Sequence, residues 1–232
     1  MKNRKLRIVG IIMVVAMVFG LMACTSEADD SSRDSTEQGL ESLANDFEKG
    51  PLIKEHTFDD GRLTLVTMYS TDYKTKEWKI TKAKTLNFGA SLKRGPGGEG
   101  ALVYVEHVHV DVTLWADSGS LGGIKQDSMD NSLHSGTEPG FSISDGYPYQ
   151  GVFSVEGYSQ TLIDGWGYQT RDWGKSEITE VQLTEGALVD EGVDGNKFTF
   201  IWDLLVKYPG DTGFHKVAIS SELVVPVGPK QT

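Results

Sequence analysis

The residues 103–115 read VYVEHVHVDVTLW, and they place His107, His109 and Asp111 two apart. On a β-strand, residues two apart share a face. The three polar side chains then line one side, and Val108, Val110 and Val112 line the other. Two imidazoles at that spacing can chelate one divalent ion, with a carboxylate or a further imidazole completing the set. His134 stands in the stretch that follows and is the candidate for that further ligand. The competing reading needs no ligand: a strand packs its valines inward and leaves a polar face in water. His56 and His215, the remaining histidines, cannot be placed from the sequence.

A second constellation is aromatic. Between residues 147 and 173 fall Tyr147, Tyr149, Phe153, Tyr158, Trp166, Tyr168 and Trp173. Rings held on rigid strands offer contact area at small entropic cost, and they stack on sugars. The expected binding surface is Tyr147, Tyr149, Trp166, Tyr168 and Trp173, with Trp166 and Tyr168 on one strand face. The competing reading is that these rings fill a core. The run DEGVDGN, 190–196, carries spaced acids, but Asp194-Gly195-Asn196 reads as a hairpin turn.

The elements that must position these groups are mostly strands. From about residue 56 onward, apolar residues alternate in RLTLVTMYS, TLNFGASLK, ALVYVEHVHVDVTLW, GVFSVEGYSQTLI, SEITEVQLTEG, KFTFIWDLLVKY and HKVAISSELVVPV. RGPGGEG reads as a Gly-rich hairpin connection, and YPGDTG as a turn. Parallel strands would need long crossover segments between them, and none is apparent. The expected fold is all-β: an antiparallel β-sandwich or partly closed barrel with one short N-terminal helix. That helix lies in STEQGLESLANDFEKGP, where Ser35 and Gln38 form a capping-box pattern. Leu40, Leu43, Ala44 and Phe47 share one face, and Gly50-Pro51 ends the run. Residues 116–150 read as a long loop with at most one short strand near FSIS, and loops of that length are usually functional or disordered.

The first residues are MKNRKLRIVGIIMVVAMVFGLMAC. Four bases precede an uncharged apolar run from Ile8 to Met22, 15 residues long. That is short of the about 20 residues needed to span a bilayer, and it has the layout of an export signal. Leu21-Met22-Ala23-Cys24 resembles the lipobox of bacterial lipoproteins, with Met22 where Ala, Ser or Thr is commoner. The resemblance covers residues 1–24 alone. It implies cleavage before Cys24, lipidation of Cys24, and a membrane-anchored, extracytoplasmic location. The expected division is a signal peptide over 1–23, a flexible acidic tether over 24–36, and a helix plus one β-sandwich domain over 37–232. Cys24 is the only cysteine, so no internal disulfide supports the domain.

Four of the 22 Lys and Arg, and none of the 33 Asp and Glu, fall in residues 1–23; the rest of the chain therefore holds 18 bases against 33 acids, a net of −15. Such a charge repels nucleic acid and anionic headgroups.

No complete catalytic signature is present. His-x-His resembles the first motif of cupins, but Gly100 is one residue too far away and no Glu lies between Val110 and Asp117. It resembles the His-x-His-x-Asp-His string of metallo-β-lactamase-like hydrolases, but Val112 replaces the last His. Asp117-Ser118-Gly119-Ser120 resembles the nucleophile loop of chymotrypsin-like proteases without their upstream histidine motif. The expectation is therefore a non-catalytic binding module for a protein or a cell-envelope glycan. The alternative is a protein that binds a divalent metal through His107, His109, Asp111 and His134.

Overall fold

A computed structural model describes residues 51–73, 77–116, 121–172 and 181–227. The signal, Cys24, the tether, the helix expected over Ser35–Phe47, and Trp173 lie outside the described residues.

The described chain builds two antiparallel sheets. The first orders β1 (Leu52–Phe58), β2 (Leu63–Ser70), β3 (Lys84–Arg94) and β7 (Tyr149–Val155) as β1-β2-β3-β7. The second orders β5 (Lys125–Ser132), β4 (Leu102–Trp115), β8 (Gly195–Lys207) and β9 (His215–Pro226) as β5-β4-β8-β9. The short β6 (Phe141–Ser142) also pairs with β4. Among the described residues two α-helices follow β7: α1 (Gln160–Thr170) and α2 (Glu185–Asp190).

The sheets form because alternate residues supply one apolar face each. Val103, Val105, Val108, Val110 and Val112 of β4 are buried, as are Phe198, Phe200, Trp202, Leu204 and Val206 of β8. The first sheet answers with Leu63, Leu65, Tyr69, Leu86, Phe88 and Leu92 in the same cluster. Rings cross between the sheets: Tyr69 and Phe200 have centroids 4.7 Å apart, and Phe88 and Phe200 5.3 Å. Full burial of each such side chain contributes about 1.5–3 kcal/mol. The result is two sheets packed face to face on one core; no closed barrel occurs among the described residues.

A smaller cluster closes one end. Leu162 and Trp166 of α1 and Leu188 of α2 pack there with Ile80, Leu114 and Ile124. A buried polar network joins it to the main core. Trp78 Nε1 donates to Asn196 Oδ1 at 3.1 Å, and Asn196 Nδ2 donates to Gln126 Oε1 at 2.7 Å.

Several sequence expectations are corrected here. RGPGGEG is no hairpin: β3 and β4 belong to different sheets, so Gly95–Gly100 crosses from one layer to the other. The stretch 116–150 contains β5, paired along β4 from His107↔Ser132 to Thr113↔Lys125. KQDSMDNS hides this strand because only Met129 is apolar; backbone pairing at a sheet edge builds it instead. GVFSVEGYSQTLI stops being a strand at Val155. Ser159 then caps α1, its Oγ accepting from Leu162 N at 3.1 Å. In SEITEVQLTEG the described residues hold no strand; Thr184 caps α2 by accepting from Ala187 N at 3.1 Å. Asp194-Gly195-Asn196 leads from α2 into β8 and is not a hairpin turn. The strands also begin earlier than expected, at Leu52.

Candidate functional site

β4 sits centrally in its sheet, between β5 and β8, so its outward side chains have neighbours on both flanks. His107, His109 and Asp111 share the outward face, while the intervening valines are buried. A register shift between Val105 and His107 sets this alternation.

The polar face is a ladder of paired charges. The His107 and His109 rings stack with centroids 6.5 Å apart and planes 19° from parallel. His107 Nδ1 lies 3.2 Å from Asp203 Oδ2 of β8, and its Nε2 contacts Asp130 Oδ1 of β5. His109 Nε2 lies 3.1 Å from Asp111 Oδ2, and Lys125 Nζ lies 2.7 Å from Asp111 Oδ1. Burial opposes the charge on His107, but the hydrogen bonds and charges of Asp130 and Asp203 outweigh it and raise the imidazole above its ordinary range. Burial likewise works against the Asp111 carboxylate, and Lys125 and His109 overcome it, holding that carboxyl below its ordinary value. Further along, Lys216 pairs with Glu106 at 2.7 Å, and Lys197 with Glu222 at 2.7 Å.

Past Asp111 the face opens into a depression of about 420 Å³, lined chiefly by Asp111, Thr113, Trp115, Lys197 and Thr199, with the Gly122-Gly123 backbone at its rim. Strands hold these side chains in register: Asp111 faces Thr199 and Thr113 faces Lys197 across β4 and β8. The pocket can offer a carboxylate, an ammonium, two hydroxyls and one indole.

The expected metal set stands differently. His134 is exposed on the connection after β5. Among the described residues no group of three or more His, Cys, Asp and Glu is placed to hold a metal ion. Both ring nitrogens of His107 face carboxylates, so a metal bound there would have to displace one.

The aromatic surface divides. Tyr149 and Trp166 are buried. Tyr149 joins the main core against Trp202, and Trp166 donates its indole N–H to the Val181 carbonyl at 2.8 Å. Their rings pack the interior and are not available to a ligand. Tyr147 and Tyr168 are exposed. Because α1 is a helix, Trp166 and Tyr168 point to different sides, and the shared strand face does not exist.

One cluster had no sequence signal. Asp59 Oδ2 accepts from the Tyr208 hydroxyl at 2.8 Å and lies 3.0 Å from His215 Nε2. The Arg62 guanidinium lies 4.0 Å from the Tyr208 ring centroid. Asp59 and Asp60 adopt φ of 50° and 57°, a left-handed pair at the β1–β2 turn. The residues converge from positions about 150 apart, so no local pattern could reveal them. The dense pairing ties the β1–β2 turn to the β8–β9 hairpin.

No family model matches this chain. No curated protein matches it. A crystal structure of a protein from Archaeoglobus fulgidus is similar at a TM-score of 0.29 and 9% identity, covering 74% of this chain and 97% of that one. A likeness that weak carries no argument.

Proposed function

We propose that this chain is a lipid-anchored, extracytoplasmic binding module with a β-sandwich domain, and that it holds a cell-envelope glycan on the outer face of the β5-β4-β8-β9 sheet. The anchor rests on the basic start, the Ile8–Met22 run and the lipobox-like Leu21–Cys24. The ligand reading rests on one observation: the depression lined by Asp111, Thr113, Trp115, Lys197 and Thr199. Its volume falls within the about 300–1,000 Å³ of small-ligand sites. An indole flanked by hydroxyls and charged groups suits a polyhydroxylated ring, which stacks its apolar face and hydrogen-bonds its rim. Rigid strands present these groups, so little ordering cost falls on binding. The histidines and acids above the pocket are already paired with one another, which favours recognition over proton transfer.

Calorimetric titration of solubilised cell-wall oligosaccharides into the protein tests the reading. Weak, saturable binding that drops at least about tenfold in Trp115→Ala, a loss of about 1.4 kcal/mol, is the expected result. Binding that is unchanged in both Trp115→Ala and Asp111→Asn refutes the pocket. Binding to a protein partner alone, with no response to saccharide, refutes the glycan.

A further inference from the structure

The outer face of the β1-β2-β3-β7 sheet carries a second depression, of about 390 Å³. Its lining includes Pro51, Met68, Gly89, Gln150 and Val152, and no charged residue. Register explains the shape. Met68 of β2, Gly89 of β3 and Gln150 of β7 form one row across the sheet, and the middle of that row has no side chain. The notch is fixed, because a Cβ at Gly89 would lie 2.7 Å from the Tyr149 carbonyl oxygen. Ile53 pairs with Met68 and extends the row onto β1. Ile53 is 56% exposed and Val152 60% exposed, although both belong to well-paired strands. Open apolar area on a sheet face calls for a cover.

We propose that the cover is this chain's own segment Ser35–Phe47, docked as a helix with Leu40, Leu43, Ala44 and Phe47 facing the notch. The position of Pro51 carries the assignment. Pro51 begins the described chain and is itself part of the groove lining. Glu48, Lys49 and Gly50 are the only residues between the segment and Pro51, and the four steps from Phe47 to Pro51 reach at most about 14 Å. A helix ending at Phe47 therefore lands on or beside this face. Thirteen helical residues measure about 20 Å. Four strands spaced about 4.8 Å apart span about 14 Å between the outer axes, so the helix is long enough to cross the sheet. The apolar stripe matches the uncharged lining, and Gln38, Ser42 and Asn45 fall on the opposite side of the wheel, toward water. Docking would also fix where the tether from the membrane leaves the domain, independently of any ligand on the other sheet.

Disulfide trapping in the full chain tests this. Cys24→Ser removes the only native thiol. Ala44→Cys is then combined with Val152→Cys or Met68→Cys on the groove, or with Ser220→Cys on the outer face of β9 as a control. The expected result is intramolecular bridging to a groove position at least about tenfold faster than to Ser220→Cys, because docking raises the local thiol concentration. Adding Leu43→Asp and Phe47→Asp should return the groove pairs to the control rate. Equal rates for the groove and control pairs overturn the proposal. So does bridging that the two aspartates leave unchanged. Bridging that appears only as a concentration-dependent dimer assigns the face to a second copy and likewise overturns it. None of these outcomes bears on the pocket at Trp115.

Discussion

His107 of β4 and Asp203 of β8 face each other as a register pair, with Nδ1 and Oδ2 3.2 Å apart. The second imidazole nitrogen meets Asp130 of β5, so one histidine bridges three adjacent strands. The contact requires an imidazolium to be fully favourable, since only the protonated ring donates from both nitrogens.

Stability should therefore carry a signature of His107 ionisation. Its folded-state affinity for a proton is raised above the unfolded value of about 6.5. A raised histidine stabilises fully below the unfolded pKa, and that contribution is lost as pH rises through the folded pKa. His107→Gln should thus cost more at pH 5.5 than at pH 9, measured as the difference in urea unfolding free energy from the native chain. Each exposed or half-exposed pair is worth about 0.2–1 kcal/mol, so a difference of that order is expected. An equal cost at both pH values would show that the ring is not held as a cation.

Tyr208 should report on Asp59. Burial, followed by the hydrogen bond and charge of Asp59, pushes the Tyr208 phenol up to about 12, with Arg62 pulling the other way. Asp59→Asn removes the negative charge and should bring one phenol back toward the ordinary value of about 10. Ultraviolet absorbance titration of the phenolates reads this directly. A titration curve superimposable on that of the native protein would mean that Asp59 does not govern Tyr208.

The sequence made some parts legible and concealed others for physical reasons. β4 and β8 could be read because both are central and alternate large apolar residues with polar ones. β5 could not, because an edge strand that turns Gln126, Met129 and Asn131 inward has no hydrophobic period. α1 is concealed because Gly165 and Gly167 dilute its helical signal and the apolar alternation of Val152 to Val155 continues into it as a strand pattern. Its only cues were Leu162 and Trp166, four apart and both buried, and the Ser159 cap. At the site, the shared face of His107, His109 and Asp111 followed from strand period alone. Their partners did not: Asp203 lies 96 residues from His107 and Asp130 lies 23 away, and pairing at that separation is fixed by sheet order.

Asn196 should be among the costliest polar residues to remove. It is fully buried and links two other buried groups, accepting from Trp78 and donating to Gln126. Asn196→Ala leaves an indole N–H and an amide oxygen without partners, at about 1–3 kcal/mol for each unsatisfied group. Denaturant unfolding should show a midpoint lowered accordingly, with little change in slope. A loss below about 0.5 kcal/mol would imply that water replaces the amide.

Glu185 should lock the segment before β3 to α2. Its Oε1 accepts from Ile80 N at 2.9 Å, and its Oε2 accepts from Thr81 N at 2.9 Å and from the Thr81 hydroxyl at 2.8 Å. From the other side, the buried Lys84 ammonium donates to the carbonyls of Lys79 and Ile80, both at 3.1 Å, and of Lys82 at 3.2 Å. The turn is thus held by an anion on its N–H groups and a cation on its carbonyls. Glu185→Gln retains the shape but replaces one acceptor oxygen with a donor, which cannot receive both of these backbone N–H groups. Hydrogen exchange at the Ile80 and Thr81 amides should accelerate, with a stability loss of about 1–3 kcal/mol. The β4 and β8 amides, which exchange through global unfolding, should lose no more protection than that stability loss. Unchanged exchange at Ile80 and Thr81 would show that Lys84 alone holds the turn.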